Sequence, residues 1–276
     1  MTTVAQALAE ARRHGVERLD AQLLLAHALQ RPRAWLIAND DATLTQRQAA
    51  DFAAWLRRRA DGEPLAYIVG EKEFHGLTLS VNDKVLVPRP DTETLVDWAL
   101  QLLAGELRDR AAPRVVDLGT GSGAIALALK HACARAHVDA VDISDDALAV
   151  ARGNAERLGL DVRLLRSHWW SDLPHERFDL ALSNPPYVRA GDPHLDALRH
   201  EPALALCAGP DGLDALRVIA AEAPAHLMPG GWLLLEHGHD QAEAVAALLA
   251  AAGFEQVQSR HDLAGIARCS GGCVAA

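Results

Sequence analysis

Apolar residues near the start of the chain recur at the spacing of α-helices. Val4, Leu8 and Ala11 fall on one face of a first helix, and a dense Leu/Ala pattern covers residues 23–29. We therefore predict a small helical bundle over residues 1–63, the first of three segments of the chain.

Three aromatic residues belong to this predicted bundle: Trp35, Phe52 and Trp55. We expect them in its core, because large apolar side chains at helical spacing are usually buried. The basic run at 57–59 ends the last predicted helix, where positive charge interacts favourably with the helix dipole.

The pattern changes to alternation after the bundle. Leu77, Leu79 and Val81 alternate with polar residues, and the alternation resumes at 85–87. Alternation is typical of a strand with one buried face, so residues 64–90 are predicted to form a β-hairpin linker.

Strands and helices alternate in the remaining segment, residues 91–276. The predicted strands cover 114–118, 138–141, 162–165, 178–183, 232–236, 255–260 and 265–269, and the predicted helices start at 122 or cover 145–158, 212–227 and 240–252. This succession predicts an α/β fold, a doubly wound, Rossmann-like sheet of seven strands beside the small N-terminal helical bundle.

The charge distribution bears on the class of partner. The net charge is −10, and residues 71–276 carry 18 Lys and Arg against 29 Asp and Glu. We expect no stable nucleic-acid binding, because general attraction to phosphates needs a basic face.

Membrane and secretory segments are also unexpected. The longest uncharged apolar run, 244–254, is too short to span a bilayer, and the first residues lack the basic segment of a secretory signal. We therefore expect a cytoplasmic protein without a membrane partner. Cysteines 133, 207, 269 and 273 match neither a zinc pattern nor a disulfide framework, so they are expected to be free thiols.

A glycine-rich loop follows the first predicted strand of the sheet. It consists of Gly119, Thr120, Gly121, Ser122 and Gly123, preceded by Asp117 and Leu118. Its glycines allow a ligand to approach the backbone, and its amides are expected to point at that ligand from a helix N-terminus.

An acidic residue ends the next predicted strand. Asp142 lies 19 residues after Gly123, the position from which a carboxylate reaches the two hydroxyls of an adenosine ribose. Gly119, Gly121 and Ala124 also satisfy the dinucleotide fingerprint. The loop alone therefore does not separate a dehydrogenase from a methyltransferase.

The sequence Asn184-Pro185-Pro186-Tyr187 follows the fourth predicted strand of the sheet. Ligands bind at this edge of such sheets. The two prolines fix the backbone and remove two N–H donors, so the local carbonyls are left as acceptors beside the Asn184 amide. Such a pair can accept both N–H bonds of a planar –NH2 group while Tyr187 stacks on its face, which presents the nitrogen to a methyl donor.

With these motifs the chain resembles the release factor glutamine methyltransferases (the HemK/PrmC family). Those class I enzymes use S-adenosylmethionine to methylate the side-chain amide nitrogen, N5, of the glutamine in the Gly-Gly-Gln motif of peptide chain release factors. The resemblance runs nearly end to end. Further shared segments are Phe74–Leu77, Val87–Glu93, Glu201–Pro202, Gly209–Leu213, Glu236–Gly238 and Asp262–Gly265.

The resemblance implies a role for each motif. Gly119, Thr120, Gly121, Ser122, Gly123, Asp142 and Asn184 would bind S-adenosyl-L-methionine, with Trp169 near its adenine; Asn184, Pro185, Pro186 and Tyr187 would hold the target glutamine. Asn184, Pro185 and Tyr187 would be the catalytic residues. The release factor would dock partly on the helical domain, and no metal is implied.

Three other functions share some of these features. A glutamine methyltransferase of a ribosomal large-subunit protein also has Asn-Pro-Pro-Tyr, but the Pro88–Glu93 stretch favours the release factor enzyme. Adenine N6 methyltransferases of DNA use the same motif and need a basic recognition surface. A non-enzymatic adaptor that only senses the cofactor would leave the Asn184 loop unused.

Several residues have more than one interpretation. His168 stands where the family usually has an acidic residue, which puts the contact to the adenine edge in doubt and lets Trp170 share the stacking role. Arg89 is either functional or part of a helix start capped by Asp91. Glu236, His237 and His239 form a cluster that could bind metal, but methyl transfer from a sulfonium needs none.

Overall fold

The computed structural model describes residues 2–276 and divides the chain into two compact units between Glu71 and Lys72. The first unit is helical. Its helices are α1 (Val4–Arg13), α2 (Arg18–Leu29), α3 (Arg33–Ala38), α4 (Gln46–Ala60) and α5 (Leu65–Val69). The predicted helical bundle is thus confirmed.

Capping residues define where two helices of this unit, α1 and α4, begin. Thr3 and Gln6 form a reciprocal capping box at the start of α1, and Thr45 and Gln48 form a second one at the start of α4. Of the three aromatic residues predicted in the core, Phe52 is fully buried. The other two, Trp35 and Trp55, are half-buried and pack against the same cluster.

The helical unit extends beyond the predicted boundary at residue 63. Helix α5 lies in the segment predicted as a linker, and its Ile68 is buried in the helical core. The linker is correspondingly shorter than the predicted 64–90. A helix of only five residues gives too few turns for a visible periodicity, so the sequence pattern missed it.

A two-stranded hairpin opens the second unit. Strands β1 (Glu71–Phe74) and β2 (Leu77–Ser80) are joined by His75 and Gly76, both with positive φ, as a tight hairpin turn requires. Leu77 and Leu79 are buried, as the alternation predicted. The alternating residues at 85–87 form no strand and belong to a loop.

The second unit is built on a sheet of seven strands in the order β5-β4-β3-β6-β7-β9-β8. The strands are β3 (Arg114–Leu118), β4 (His137–Asp142), β5 (Arg163–Arg166), β6 (Phe178–Ser183), β7 (Leu227–Glu236), β8 (Glu255–His261) and β9 (Ala267–Cys273). Strands β3 to β7 are parallel, and β9 is antiparallel to both β7 and β8. The predicted seven-stranded α/β fold is confirmed.

Helices cover both faces of this sheet. They are α6 (Glu93–Ala104), α7 (Ala124–Ala132), α8 (Asp145–Leu158), α9 (Asp214–His226) and α10 (Ala242–Ala251). Neighbouring residues of one strand enter opposite cores: Val115 and Leu234 belong to one cluster, Val116 and Leu235 to the other. Burial on both faces explains why these strands are continuous apolar runs. In the described residues 2–276, no helix is long and apolar enough to cross a membrane.

The last strand runs four residues beyond its predicted end at 269, through Gly271 and Gly272. Glycines normally weaken a strand. At Gly271, however, a Cβ atom would lie 2.5 Å from Leu234 Cδ2 and 2.9 Å from the Trp98 ring. Close packing against β7 and α6 therefore requires glycine, and this reason is invisible in the sequence.

The order of the strands determines where a ligand can bind. Strand β3 lies between β4 and β6, so the chain leaves β3 toward one side of the sheet and returns on the other. At such a switch point the loops after the strands diverge and leave a crevice at the carboxyl edge. Asp142 and Asn184 stand at the ends of the two strands that flank β3.

Candidate functional site

A cavity of about 500 Å³ opens at this carboxyl edge of the sheet. Eight of the residues predicted to bind ligands line it: Gly119, Thr120, Gly121, Ser122, Asp142, Trp169, Asn184 and Pro186. Three others, Gly123, Pro185 and Tyr187, do not line the cavity. The fold thus brings residues of the two predicted motifs together in one cavity.

The backbone amides of the glycine-rich loop are directed differently from our expectation. The N–H groups of Gly119 and Thr120 both donate to the carbonyl of Val141, at 2.8 and 2.9 Å. The Gly121 N–H donates to Asp142 Oδ2, and the Gly123 N–H donates to the Thr120 carbonyl. The expectation that these amides point at a ligand is therefore wrong for these four. The loop therefore contributes surface to the cavity, and its amide hydrogen bonds within the protein fix its conformation.

The buried side chain of Asp117 holds the loop by two hydrogen bonds. Its Oδ2 accepts hydrogen bonds from the Thr120 hydroxyl at 2.6 Å and from the Ala126 N–H at 3.3 Å. Burial raises the pKa of Asp117 to about 7, although both hydrogen bonds act in the opposite direction. Asp117 thus anchors the loop to helix α7, a role that no sequence pattern predicted.

Trp169 forms one wall of the cavity and closely approaches the loop. A Cβ atom on Gly119, whose φ is +77°, would lie 3.1 Å from Trp169 Cζ3. Glycine at 119 therefore allows both the positive φ of the backbone and the close approach of the Trp169 indole. His168 also lines the cavity and is exposed.

Trp170 does not share the stacking role. Its side chain is buried in the second core, its Nε1–H donates to the Ile219 carbonyl, and its ring stacks on His226 at 4.7 Å. The reason is the local backbone: Trp169 has a φ of +53°, which separates the directions of the two adjacent side chains. Sequence adjacency alone did not distinguish them.

The Asp142 carboxylate is fixed before any ligand binds. Its Oδ2 accepts the Gly121 N–H and its Oδ1 accepts the Ser144 N–H, each at 2.9 Å. Burial raises the pKa of Asp142, and these two hydrogen bonds oppose the rise. Each carboxylate oxygen has a further lone pair, so hydroxyl groups of a ligand in the cavity can donate to it.

The Asn184 side chain is fixed from a distant part of the chain. Its Nδ2 donates to Thr92 Oγ1 at 3.1 Å, and both residues line the cavity. Pro185 is buried, whereas Pro186 lines the cavity. The amide oxygen of Asn184 lies on the side of the group away from Thr92.

Tyr187, predicted to stack on the acceptor, is half-buried beside the cavity-lining Pro186. Its ring packs against the second core, and its hydroxyl donates to Glu236 Oε1 at 3.3 Å. Burial raises the pKa of Tyr187, and the Glu236 charge adds to this. Gln241 Nε2 donates to the Tyr187 carbonyl, which holds the backbone after the two prolines.

Arg89 and Glu201 form a bridge beside the cavity. The buried Glu201 carboxylate accepts hydrogen bonds from Arg89 Nη2 and from the Val87 N–H. Arg89 therefore lines the cavity and also ties two of its loops together. Asp91 does not cap the helix that follows: it pairs with Arg268 at 3.2 Å, and Thr92 occupies the N-cap position.

The possible metal cluster is not assembled. His237 is buried with Nε2 against Ser270 Oγ, and burial lowers its pKa, whereas His239 is exposed. Across residues 2–276, no group of three or more His, Cys, Asp or Glu side chains is placed to hold a metal ion. All four cysteines are free.

Three partly exposed apolar side chains, which no motif predicted, form an apolar rim of the cavity. Ile143, Leu204 and Val218 all line the cavity with side chains that are 40%, 63% and 38% exposed. They come from three separate loops and helices. Their proximity is a property of the fold, so no local sequence signal could have revealed it.

Two family models match the chain. The PrmC N-terminal domain matches residues 1–70, and the Methyltransferase small domain matches residues 92–201. The first match ends almost where the structure ends the helical unit.

Curated relatives match nearly the whole length. The release factor glutamine methyltransferase of Bordetella pertussis is 51% identical over 94% of this chain and 95% of its own length. The chain belongs to the release factor glutamine methyltransferase family. A second member, from Xylella fastidiosa, is 48% identical over 96% of this chain and 98% of its own.

Solved structures share the fold at low identity. The T. thermophilus 16S rRNA N2 G1207 methyltransferase, in complex with AdoMet and guanosine, has a TM-score of 0.55 and 22% identity. The match covers 74% of this chain and 49% of that one. The likeness shows a shared α/β fold.

Proposed function

We propose that this protein transfers a methyl group from S-adenosylmethionine to the side-chain amide nitrogen of the glutamine in the Gly-Gly-Gln motif of peptide chain release factors. The observation that carries the proposal is the position of Asn184, which lines the same cavity as the glycine-rich loop and Asp142. The family membership of the chain supports the same substrate.

The cavity fits S-adenosylmethionine by the chemistry of its lining. Asp142 provides a fixed carboxylate for the ribose hydroxyls, and Trp169 provides an aromatic wall for the adenine. Asn184 also lines the cavity and would contact the reacting end of the cofactor as well as the acceptor. His168 provides a polar ring at the adenine side in place of the usual acidic residue.

The hydrogen bonding of the glycine-rich loop is one argument for this cofactor over a dinucleotide. A pyrophosphate needs several N–H groups at a helix N-terminus as donors. Here the amides of Gly119, Thr120, Gly121 and Gly123 donate within the protein. A ligand without phosphates, such as S-adenosylmethionine, suits this loop better than NAD.

The chemistry requires orientation more than acid–base catalysis. When bound, S-adenosylmethionine supplies a methyl group whose C–S bond breaks as the N–C bond forms, while the amide nitrogen loses one proton to water. The Asn184 oxygen and the Pro185 carbonyl would accept the two N–H bonds of the glutamine and align its nitrogen. These acceptors stabilise the positive charge that develops on the nitrogen.

The release factor itself would bind at the mouth of the cavity. The exposed side chains of Ile143, Leu204 and Val218 give an apolar rim for the loop that carries the target glutamine. We propose that the helical unit, which matches the PrmC N-terminal domain, contributes to docking of the folded factor.

Methylation of purified proteins tests this function. The enzyme would be incubated with S-adenosylmethionine and a release factor, with a variant factor whose Gly-Gly-Gln glutamine is replaced by alanine, and with ribosomal large-subunit proteins. Mass spectrometry should show a gain of one methyl group on the native factor alone. Methylation of a ribosomal protein in preference to the factor would instead establish the ribosomal alternative.

An oligonucleotide containing adenine provides the nucleic-acid arm of the same experiment. The acidic balance of residues 71–276 argues against this substrate. Methylation of the oligonucleotide at a rate above that of the release factor would overturn the proposed protein substrate.

A further inference from the structure

One side-chain amide connects three loops at the carboxyl edge of the sheet. Gln241 stands at the N-terminus of α10, is 9% exposed and does not line the cavity. Its Oε1 accepts the Gly238 N–H at 2.8 Å. Its Nε2 donates to three backbone carbonyls, those of Tyr187 at 3.1 Å, Gly212 at 3.3 Å and Asp211 at 3.4 Å. The amide therefore joins the loop after β7 to the loop after β6 and to the turn before α9.

The neighbours of this amide determine which way round it lies. The Gly238 N–H can only donate, so it must meet the side-chain oxygen of Gln241. Backbone carbonyls can only accept, so they must meet the NH2 group. Ionised glutamic acid has nearly the same shape but no donor, and it would place a negative charge against these carbonyls. The contacts therefore require glutamine and not its acid.

Glycine stands on both sides of the amide, where close packing requires it. A Cβ atom at Gly238 would lie 3.0 Å from Gln241 Oε1. At Gly212, whose φ is +75°, a Cβ atom would lie 2.8 Å from Gln241 Nε2 and 2.3 Å from the Tyr187 carbonyl oxygen. Both glycines belong to segments that the chain shares with its family and that no motif role explained. They are parts of one clamp around this amide.

Both clamped segments contribute to the wall of the cavity. Asn184 and Pro186 line it from the loop after β6, and Gly209 and Asp214 line it from the turn before α9 and the start of that helix. Gln241 ties these two parts of the wall together from outside the cavity. Any effect of Gln241 on a bound substrate must therefore pass through the backbone.

The loop after β6 is held at both ends. At its start, Asn184 Nδ2 donates to Thr92 Oγ1; at its end, Gln241 Nε2 donates to the Tyr187 carbonyl. The two prolines between these points have fixed φ angles. A loop with fixed ends and fixed φ angles has little freedom to turn the Pro185 carbonyl, which the proposed function makes an acceptor for one N–H of the glutamine.

We propose that Gln241 is a positioning residue for methyl transfer, which holds loop 184–187 against the turn before α9 and so fixes the acceptors for the target glutamine. The inference rests on the proposed function for its substrate. The hydrogen-bonded clamp itself does not depend on the substrate.

Two substitutions of Gln241 test the catalytic part. Gln241→Glu keeps the size and the acceptor for the Gly238 N–H but loses the donors when ionised. It should lower kcat by about 10- to 100-fold, because a displacement of about 1 Å at the reacting group has effects of this size. Gln241→Met removes the donors without adding charge and should lower kcat by about tenfold.

Cofactor binding separates positioning from general damage. The glycine-rich loop and Asp142 lie outside the clamp. The dissociation constant of S-adenosylmethionine in calorimetry should therefore stay within about threefold of the wild-type value in both variants, as expected for independent sites. A loss of affinity as large as the loss of kcat would overturn the proposal.

Asp179→Asn is the control. Asp179 is a buried polar side chain at the other end of β6, where it accepts the Arg114 N–H. It lies five residues, or about 16 Å along the strand, from Asn184. The variant should lower thermal stability and leave kcat within about twofold of the wild type.

The position of the loop is measured without substrate. The chain has two tyrosines, Tyr67 in the helical unit and Tyr187, so labelling with fluorotyrosine gives two ¹⁹F signals, which Tyr67→Phe assigns. The Tyr187 signal should shift in Gln241→Glu and Gln241→Met and not in Asp179→Asn.

An unchanged Tyr187 signal in a folded Gln241 variant would overturn the clamp. If circular dichroism shows that Gln241→Glu does not fold, Gln241→Met alone decides by the same three measurements. Failure of the proposed function would appear separately, as a wild-type enzyme that leaves the release factor unmethylated, and the ¹⁹F signals would still test the clamp.

Discussion

The two loops that face the cavity are held in opposite ways. The loop after β3 is fixed by near neighbours: its amides donate to Val141 and Asp142 on the adjacent strand, and Asp117 bonds to Thr120 three residues away. The loop after β6 is fixed by remote side chains, with Thr92 on Asn184 and Glu236 on Tyr187. Changes in the acceptor site should therefore leave cofactor binding largely intact. Changes in the glycine-rich loop should likewise leave the orientation of the acceptor largely intact.

The largest effect is expected at Asn184. Asn184→Ala removes the acceptor for the target amide and should lower kcat by about two to three powers of ten, as loss of one preorganised hydrogen bond does. Because the glycine-rich loop does not depend on Asn184, the dissociation constant of S-adenosylmethionine should change much less. Single-turnover methylation and calorimetry measure the two quantities. Equal losses of kcat and of affinity for S-adenosylmethionine would show that the two loops are not held independently.

Asp142 tests the other loop. Asp142→Ala removes the predicted partners of the ribose hydroxyls and the acceptor for the Gly121 N–H, at about 1.5–3 kcal/mol for each charge-assisted hydrogen bond. Binding of S-adenosylmethionine should weaken by at least about 100-fold in calorimetry. Asp146→Ala, an exposed acid nearby that does not line the cavity, is the control and should bind normally. Tight binding of NAD by the wild type would contradict the cofactor assignment.

Glu236 connects the acceptor loop to stability. The folded-state pKa of about 7 lies above the unfolded value of about 4.3, so the folded protein binds this proton more tightly. The associated stability is complete below about pH 4 and is lost as pH rises through 7. Between pH 5 and pH 8, the wild type should lose about 2–3 kcal/mol more unfolding free energy than Glu236→Gln in urea titrations.

Comparing the wild type with Glu236→Gln removes the contribution of a second buried acid, Asp117, to the pH dependence. Asp117 also has a pKa of about 7 and is present in both proteins. Around Glu236 the facing groups are Thr92, Tyr187, Asp91 and Arg268, which the variant leaves in place. Identical pH profiles for the two proteins would show that Glu236 ionises as an ordinary exposed glutamate does.

The smallest effect is expected at the glycines. Gly119→Ala and Gly121→Ala both place a side chain at positive φ, which costs about 1–2 kcal/mol. Only Gly119 has Trp169 within contact distance, because nothing lies within 4 Å of a Cβ at Gly121. Gly119→Ala should therefore change the tryptophan fluorescence and weaken cofactor binding more than Gly121→Ala. Equal effects of the two substitutions would show that backbone strain alone, and not contact with Trp169, weakens cofactor binding.

The same contrast explains what the sequence could predict. The sheet followed from continuous apolar runs separated by helical periods, and the glycine-rich loop from residues adjacent in sequence. The orientation of Trp169 against Trp170 depended on one positive φ, and helix α5 was too short to have a period. The contact between Thr92 and Asn184 spans 92 positions, so no local pattern could report it.

The position of β9 has a consequence for how the sheet forms. This strand follows β8 in the chain but inserts between β7 and β8, pairing Trp232 with Cys273 and Glu236 with Cys269. Until β9 has been synthesised, β7 presents a long apolar edge with no neighbour on that side. Such an edge invites pairing with other chains. The nascent protein is therefore most vulnerable to aggregation during the interval between synthesis of β7 and arrival of β9, and sheet assembly is completed by an interior strand.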